Sequence, residues 1–190
     1  IKEMLPKPVN QLRVAFIPTA GDPYDDKSFV YADRDALVKM GMQVIDIDLK
    51  IIRGDSLEKE LNKVDIVFIA GGNTFYLLDQ VRKSGFDVII KKLIQKGIIY
   101  VGSSAGSAIC CPTIEYVKDF DNPQVVPDLT DYTGLNLVDF LIIPHVQKEK
   151  YKERIDKITV EMQTKGFEII KLSDSQAILI NGDNIKVQSI

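Results

Sequence analysis

A serine flanked by small residues follows a short apolar run near the middle of the chain. The pentapeptide Gly102-Ser103-Ser104-Ala105-Gly106 comes directly after Ile98-Ile99-Tyr100-Val101. A buried strand leading into Gly-x-Ser-x-Gly is the sequence form of a nucleophile elbow, a strained turn from strand to helix. Such a turn would lift Ser104 out of the sheet and aim the Ala105 N–H and the helix start at the same spot. A Gly/Ser loop without chemistry is the alternative, because the pattern alone is weak.

The chain has one histidine, His145, and it also follows an apolar run. A serine hydroxyl needs a base, usually a histidine held by a carboxylate, before it attacks a carbonyl at neutral pH. His145 comes after the run Phe140-Leu141-Ile142-Ile143-Pro144, in which the proline ends the strand. The C-terminal ends of parallel strands meet along one sheet edge, so we expect Ser104 and His145 to lie together. A structural histidine is the plainer alternative.

A catalytic serine and histidine call for a third residue, a carboxylate that orients the imidazole. Six acidic residues lie between the serine and the histidine: Glu115, Asp119, Asp121, Asp128, Asp131 and Asp139. Their spacing alone does not select among them.

The elements that would position these residues alternate between strand and helix. Apolar runs predict strands over residues 14–18, 44–47, 65–70, 98–101 and 140–144, and helical patterns cover 28–40, 74–83, 87–96 and 149–164. The alternation predicts one α/β domain over residues 1–190, with a mainly parallel sheet and helices on both faces. Turn residues Asn181-Gly182-Asp183-Asn184 predict a C-terminal β-hairpin. Residues 118–136 show no periodicity, and loops of that length are often functional.

A second glycine-rich segment, Gly71-Gly72-Asn73-Thr74, ends a predicted strand and opens a helix. Two glycines permit a close approach of backbone to substrate. A nucleotide phosphate loop is the alternative, but the segment lacks both Gly-x-Gly-x-x-Gly and the lysine of a Walker loop. Thr74 could equally be no more than a helix N-cap.

Composition excludes several classes of partner. The chain has 24 Lys and Arg against 27 Asp and Glu, a net charge of −3, which argues against nucleic acid or an anionic membrane. No apolar stretch approaches the roughly 20 residues of a membrane span. The adjacent Cys110 and Cys111 are expected to be buried and reduced, and with no visible signal peptide they predict the cytoplasm. No cofactor is implied, and the single histidine argues against a metal site.

Four blocks in a fixed order resemble the peptidase E and cyanophycinase family of serine peptidases. The blocks are Gly71-Gly72-Asn73-Thr74-Phe75, Gly102–Gly106, Cys111-Pro112-Thr113-Ile114 and Ile143-Pro144-His145, and the resemblance covers about residues 13–187. It implies a flavodoxin-like fold akin to class I glutamine amidotransferases. Those enzymes carry a cysteine where this chain has Ser104, so the serine favours a peptidase.

The resemblance also assigns roles to individual residues. In peptidase E the acid follows the Pro-Thr-Ile block in an Asn-Asp pair, which corresponds here to Lys118-Asp119. Asp119 is therefore the expected acid, and Asp121 is close enough to replace it. The N–H groups of Gly72 and Ala105 would form the oxyanion hole. Asn73 and Thr74 would line the substrate site.

The family's substrates are short peptides with an N-terminal aspartate, whose carboxylate needs a positive partner. Members with that specificity carry a Thr-Arg-Glu-Gln-Arg-Ile-like run after the histidine, and Tyr151 stands at the first arginine's position here. Arg154 or Lys148 could compensate. Two other functions stay open: a catalytically silent small-molecule binding protein, and an esterase or amidase with the same triad. The sequence does not set the oligomeric state.

Overall fold

The centre of the protein is a four-stranded parallel sheet. In the computed structural model, which describes residues 5–189, its strands are β1 (Arg13–Ile17), β2 (Gln43–Asp46), β3 (Ile66–Ile69) and β4 (Ile99–Gly102). They lie in the order β2-β1-β3-β4. In this register Ile69 is opposite Gly102, so the C-terminal ends of β3 and β4 are neighbours.

Helices cover both faces of this sheet, as the sequence predicted. They are α1 (Ser28–Lys39), α2 (Gly54–Leu61), α3 (Thr74–Ser84), α4 (Phe86–Gln95), α5 (Ala105–Ala108) and α6 (Lys152–Thr164). Side chains of β1 alternate between two cores: Val14 and Phe16 pack with α1, whereas Ala15 and Ile17 belong to the larger cluster that includes α2, α3 and α4. This alternation follows from the two-residue period of a strand that is buried on both faces.

A second, smaller parallel sheet carries the predicted histidine strand. It consists of β5 (Leu141–Ile143) and β6 (Ile169–Lys171). The other edge of β5 is closed by side chains: Tyr116 donates a hydrogen bond to the Ile142 carbonyl at 2.7 Å, and the Ile142 N–H donates to the Cys111 sulfur at 3.2 Å. Because those groups are occupied, β5 does not pair with β4, and the parallel strands form two hydrogen-bonded sheets.

The predicted C-terminal hairpin is confirmed as the antiparallel pair β7 (Gln176–Asn181) and β8 (Asn184–Ser189). Two other segments differ from their predictions. Residues 149–164 begin with a 3₁₀ turn, Glu149–Tyr151, before α6. The unpatterned loop contains 3₁₀ turns at Glu115–Asp119 and Pro123–Val125, and Arg82 anchors it by donating to the carbonyls of Asp131 and Thr133.

The two cysteines are buried and unbridged, as expected. Burial raises the pKa of Cys110 to about 12 and that of Cys111 to about 11. Such thiols stay protonated at neutral pH and are unreactive.

Between residues 5 and 189, no helix is both long enough and apolar enough to cross a bilayer. The same residues contain no group of three His, Cys, Asp or Glu side chains arranged to hold a metal ion.

The elbow depends on close backbone packing that only glycine permits. A Cβ on Gly106 would lie 2.3 Å from the Ile69 carbonyl oxygen, and one on Gly102 would lie 2.3 Å from the Gly106 carbonyl oxygen. We predict that Gly106→Ala lowers the free energy of unfolding by about 3 kcal/mol, the upper range for an overpacked core. Urea denaturation measures this loss.

Gly97→Ala is a reference for the size of this effect: it adds the same methyl group where there is space, although its backbone is left-handed and that of Gly106 is not. Gly97 has a φ of 92°, and a Cβ there would meet no atom within 4 Å. The reference measures the strain of a left-handed backbone alone, about 1–2 kcal/mol. A Gly106→Ala protein as stable as the Gly97→Ala protein would show that the elbow tolerates a larger side chain.

Candidate active site

Ser104 lies in a strained turn between β4 and α5. Its φ is 49° and its ψ is −106°, a conformation that is costly for a residue with a Cβ. Hydrogen bonds hold the turn from both sides: the Ser103 N–H donates to Ile69 of β3, and the Gly106 N–H donates back to Ser103. The strand-to-helix turn predicted from the sequence is therefore present.

His145 lies directly against this serine. The Ser104 Oγ is 2.9 Å from the His145 Nε2, within hydrogen-bond distance. His145 follows β5 with a φ of 65°, and the Val146 N–H donates to the Leu172 carbonyl, which ties this turn to the chain after β6. The structure thus brings together the serine and the histidine that the sequence selected, in the geometry of a nucleophile and its base.

The carboxylate against the histidine comes from Asp174, which the sequence reasoning missed. Its Oδ1 is 2.5 Å from the His145 Nδ1, and its Oδ2 is 3.3 Å from the Lys148 Nζ. The Asp174 N–H donates to the Gln147 side chain at 3.1 Å, which fixes the turn after β6. Burial opposes ionisation of Asp174, but the hydrogen bond and charge of His145, then Lys148, outweigh it and lower the pKa of this carboxyl.

Asp119, the expected acid, does not lie at the histidine. It ends the 3₁₀ turn Glu115–Asp119, which directs its carboxylate to Lys157 on α6 at 3.4 Å. The Asp119 carbonyl accepts a hydrogen bond from Arg154 on the same helix. The expectation of an Asp119–His145 contact is therefore corrected by the structure, because the turn points the side chain away from the elbow.

Asp121, the alternative acid, lies closer to the site but binds a different partner. Its Oδ2 accepts from both the N–H and the hydroxyl of Thr74, at 2.8 and 2.6 Å. Burial raises the pKa of Asp121, and the two Thr74 hydrogen bonds partly offset that shift. Asp121 therefore fixes the first residue of α3 and leaves the histidine to Asp174.

Asp174 lies outside the interval between Ser104 and His145 that contains the six candidate acids. A usable signal was nevertheless present. Asp174 follows the short apolar run Ile169-Ile170 in the same way that the serine and the histidine follow theirs. The alternation of side chains along β6 is hard to recognise in the sequence, because the strand has only three residues.

The two backbone amides expected to form an oxyanion hole border the same cavity as the serine. Gly72 has a φ of 145°, and a Cβ there would lie 2.0 Å from the Ala20 carbonyl oxygen, so no other residue fits. Gly72 and Ala105 both line the cavity in front of Ser104. Within residues 5–189, neither N–H has a hydrogen-bond acceptor, which leaves both available to a ligand.

The other residues expected to bind substrate lie in three different places. Thr74 lines the cavity. Asn73 is buried as the N-cap of α3, where its Oδ1 accepts from the Tyr76 N–H and its Nδ2 donates to the Asn122 carbonyl. Arg154 lies in a separate surface depression on α6, away from the cavity.

The cavity at Ser104 has a volume of about 410 Å³, within the range of small-ligand sites, roughly 300–1,000 Å³. Two perpendicular aromatic pairs line it, Tyr24 with Phe29 and Phe120 with Tyr151. This site fits a small substrate with its reacting carbonyl at the serine.

Comparison with known proteins identifies the family of the chain. The sequence profile of peptidase family S51 matches residues 1–188. An uncharacterised peptidase from Listeria innocua is 36% identical over 172 residues, which cover 90% of this chain and 82% of the relative. A peptidase E from Salmonella arizonae is 30% identical over 202 residues, covering 94% and 82%.

A solved structure gives the same result for the fold. A Listeria monocytogenes protein, provisionally named a peptidase E, superposes with a TM-score of 0.90 at 33% identity, over 100% of this chain and 91% of that one. The chain therefore belongs to peptidase family S51 and is a serine-type peptidase.

Proposed function

We propose that this protein hydrolyses short peptides through a triad of Ser104, His145 and Asp174. One observation carries the proposal: a continuous chain of contacts from the serine Oγ to the Nε2 at 2.9 Å, and from the Nδ1 to the Asp174 Oδ1 at 2.5 Å. In this triad the acid follows the histidine in the sequence, and Asp174 takes the role expected of Asp119. Triads are defined by geometry and not by order along the chain.

The geometry supports an acyl-enzyme mechanism. The Ser104 Oγ attacks the peptide carbonyl carbon while its proton moves to the His145 Nε2, and Asp174 stabilises the resulting imidazolium. The N–H groups of Gly72 and Ala105 donate to the oxyanion of the tetrahedral intermediate. The imidazolium then protonates the leaving amine, and a water activated by the same histidine releases the acid.

The size of the cavity favours short substrates, and the family favours a peptide bond over an ester. A preference for N-terminal aspartate has weaker support. Arg154 lies outside the cavity, and among the described residues Lys148 is the only Lys or Arg that lines it. The cytoplasmic location and the absence of a nucleic-acid partner stay predictions from composition.

Ser104→Ala is expected to abolish turnover without unfolding the protein, because Ser104 serves as the nucleophile and makes few packing contacts. Loss of the nucleophile lowers kcat by roughly 10³-fold or more. A fluorophosphonate probe, mapped by mass spectrometry, should label Ser104 in the parent protein and nothing in the variant. Ser56→Ala, on the exposed surface of α2, is the control. Labelling at Ser103 instead would contradict the assignment.

Asp174→Asn is expected to lower kcat by roughly 10²- to 10⁴-fold, because an amide neither stabilises the imidazolium nor fixes its tautomer. Asp119→Asn is the matched control, and it should lose little activity because its carboxylate faces Lys157. Both rates are measured on one dipeptide substrate. If Asp119→Asn loses most of its activity while Asp174→Asn stays near normal, Asp119 is the acid of the triad, as the family resemblance implied.

A further inference from the structure

The cavity at Ser104 contains negative charge that the triad does not use. Asp33 on α1 and Asp121 in the loop after Glu115–Asp119 both line it, and both are partly buried. Neither forms an ion pair with any Lys, Arg or His of residues 5–189, although the charge of His145 acts on Asp121 from beyond ion-pair distance. A buried carboxylate without a cation is unfavourable, and a bound cation would offset that cost.

The surroundings of both carboxylates also lack enough positive charge to balance them. Burial raises the pKa of Asp33, and the Ser103 hydroxyl offsets the shift only in part. At Asp121 the two hydrogen bonds from Thr74 go to one oxygen, Oδ2, while Oδ1 accepts none from a described residue. Each wall of the cavity therefore has capacity for a donor that carries positive charge.

Lys148, the only Lys or Arg that lines the cavity among the described residues, is already engaged. The Lys148 Nζ is 3.3 Å from the Asp174 Oδ2 and 3.3 Å from the His145 Nδ1. A substrate carboxylate bound to Lys148 would compete with Asp174 for this ammonium and would bring a second negative charge to the triad acid. Like charges at that separation repel one another.

The substrate's amino terminus has little freedom to avoid these carboxylates. In a dipeptide, only the α-carbon separates the ammonium from the carbonyl carbon that Ser104 attacks. A carbonyl positioned at Ser104 therefore places the ammonium in the same cavity as Asp33 and Asp121. The aromatic walls provide faces for an alkyl chain or a cation.

We propose that the cavity selects its substrate by positive charge on the residue that acylates Ser104. A free ammonium with a basic side chain is preferred, a neutral side chain is intermediate, and aspartate is disfavoured. Asp33 and Asp121 are the specificity-determining residues. This inference rests on the proposed function, because it concerns the substrate of the same serine.

The test compares the p-nitroanilides of lysine, leucine and aspartate, which share one leaving group. We expect kcat/KM to fall in that order, with lysine at least about tenfold above aspartate, equivalent to 1.4 kcal/mol of differential binding. Where turnover is below detection, lysinamide and aspartamide are compared as protectants of Ser104 against the fluorophosphonate. Aspartate equal to or better than lysine in these assays overturns the inference.

Substitutions locate the source of the selectivity. Asp33→Asn and Asp121→Asn should each reduce the lysine-to-aspartate ratio, by about threefold or more, because each removes one unpaired charge. The ratio does not depend on the fraction of folded enzyme, so a loss of stability at Asp121 does not affect it. Asp35→Asn, on the exposed side of α1 and outside the cavity, should leave the ratio unchanged. An unchanged ratio in both cavity variants overturns the assignment.

Labelling separates the two proposals. If the fluorophosphonate labels Ser104 but aspartate is preferred, the serine mechanism stands and the charge inference fails. If Ser104 is not labelled and no substrate is cleaved, the proposed function fails and the charge inference fails with it.

Discussion

The site depends on how closely the backbone packs around the C-terminal ends of the central strands. Gly106 packs its Cα against the Ile69 carbonyl, and Gly72 packs against Ala20. These contacts exclude side chains, and in the space that remains Ser104 has a left-handed φ of 49°. The same approach leaves the Gly72 and Ala105 amides facing the cavity. The position of Ser104 and of the two amides proposed as oxyanion donors thus depends on close backbone packing at Gly106 and Gly72.

The other half of the site is built on the small β5–β6 sheet. Because Tyr116 and Cys111 close the outer edge of β5, this sheet stands apart from the central one. Its two strands run parallel, so the residues that follow them, His145 and Asp174, emerge at the same end. An imidazole and a carboxylate that follow adjacent strands of one sheet are held in a fixed relation, which is what the proposed triad requires.

Electrostatics distinguish the triad from the rest of the cavity. Lys148 lies beside Asp174 and lowers the pKa of that carboxyl together with His145. Asp33 and Asp121 form no ion pair with a Lys, Arg or His of residues 5–189, and burial raises the pKa of both, a shift that the charge of His145 offsets only in part at Asp121. The carboxylate behind the histidine and the two that line the cavity therefore have different environments: Asp174 is paired with His145 and Lys148, whereas Asp33 and Asp121 are in no ion pair among the described residues. Pairing and burial, not residue type, set this difference.

The sequence by itself determined the α/β class, the glycine-framed serine and the single histidine, because each leaves a local signature of period, turn chemistry or count. The family resemblance added Gly72 as the expected second oxyanion donor. The acid was decided only in three dimensions. Asp119 and Asp174 are both aspartates in polar turns, and local pattern cannot tell which one a fold will bring to an imidazole 26 or 29 residues away in sequence. The 3₁₀ turn that points Asp119 at Lys157, and the pairing of three-residue β5 and β6, are tertiary outcomes. Strands that short are specified by their neighbours, not by their own residues.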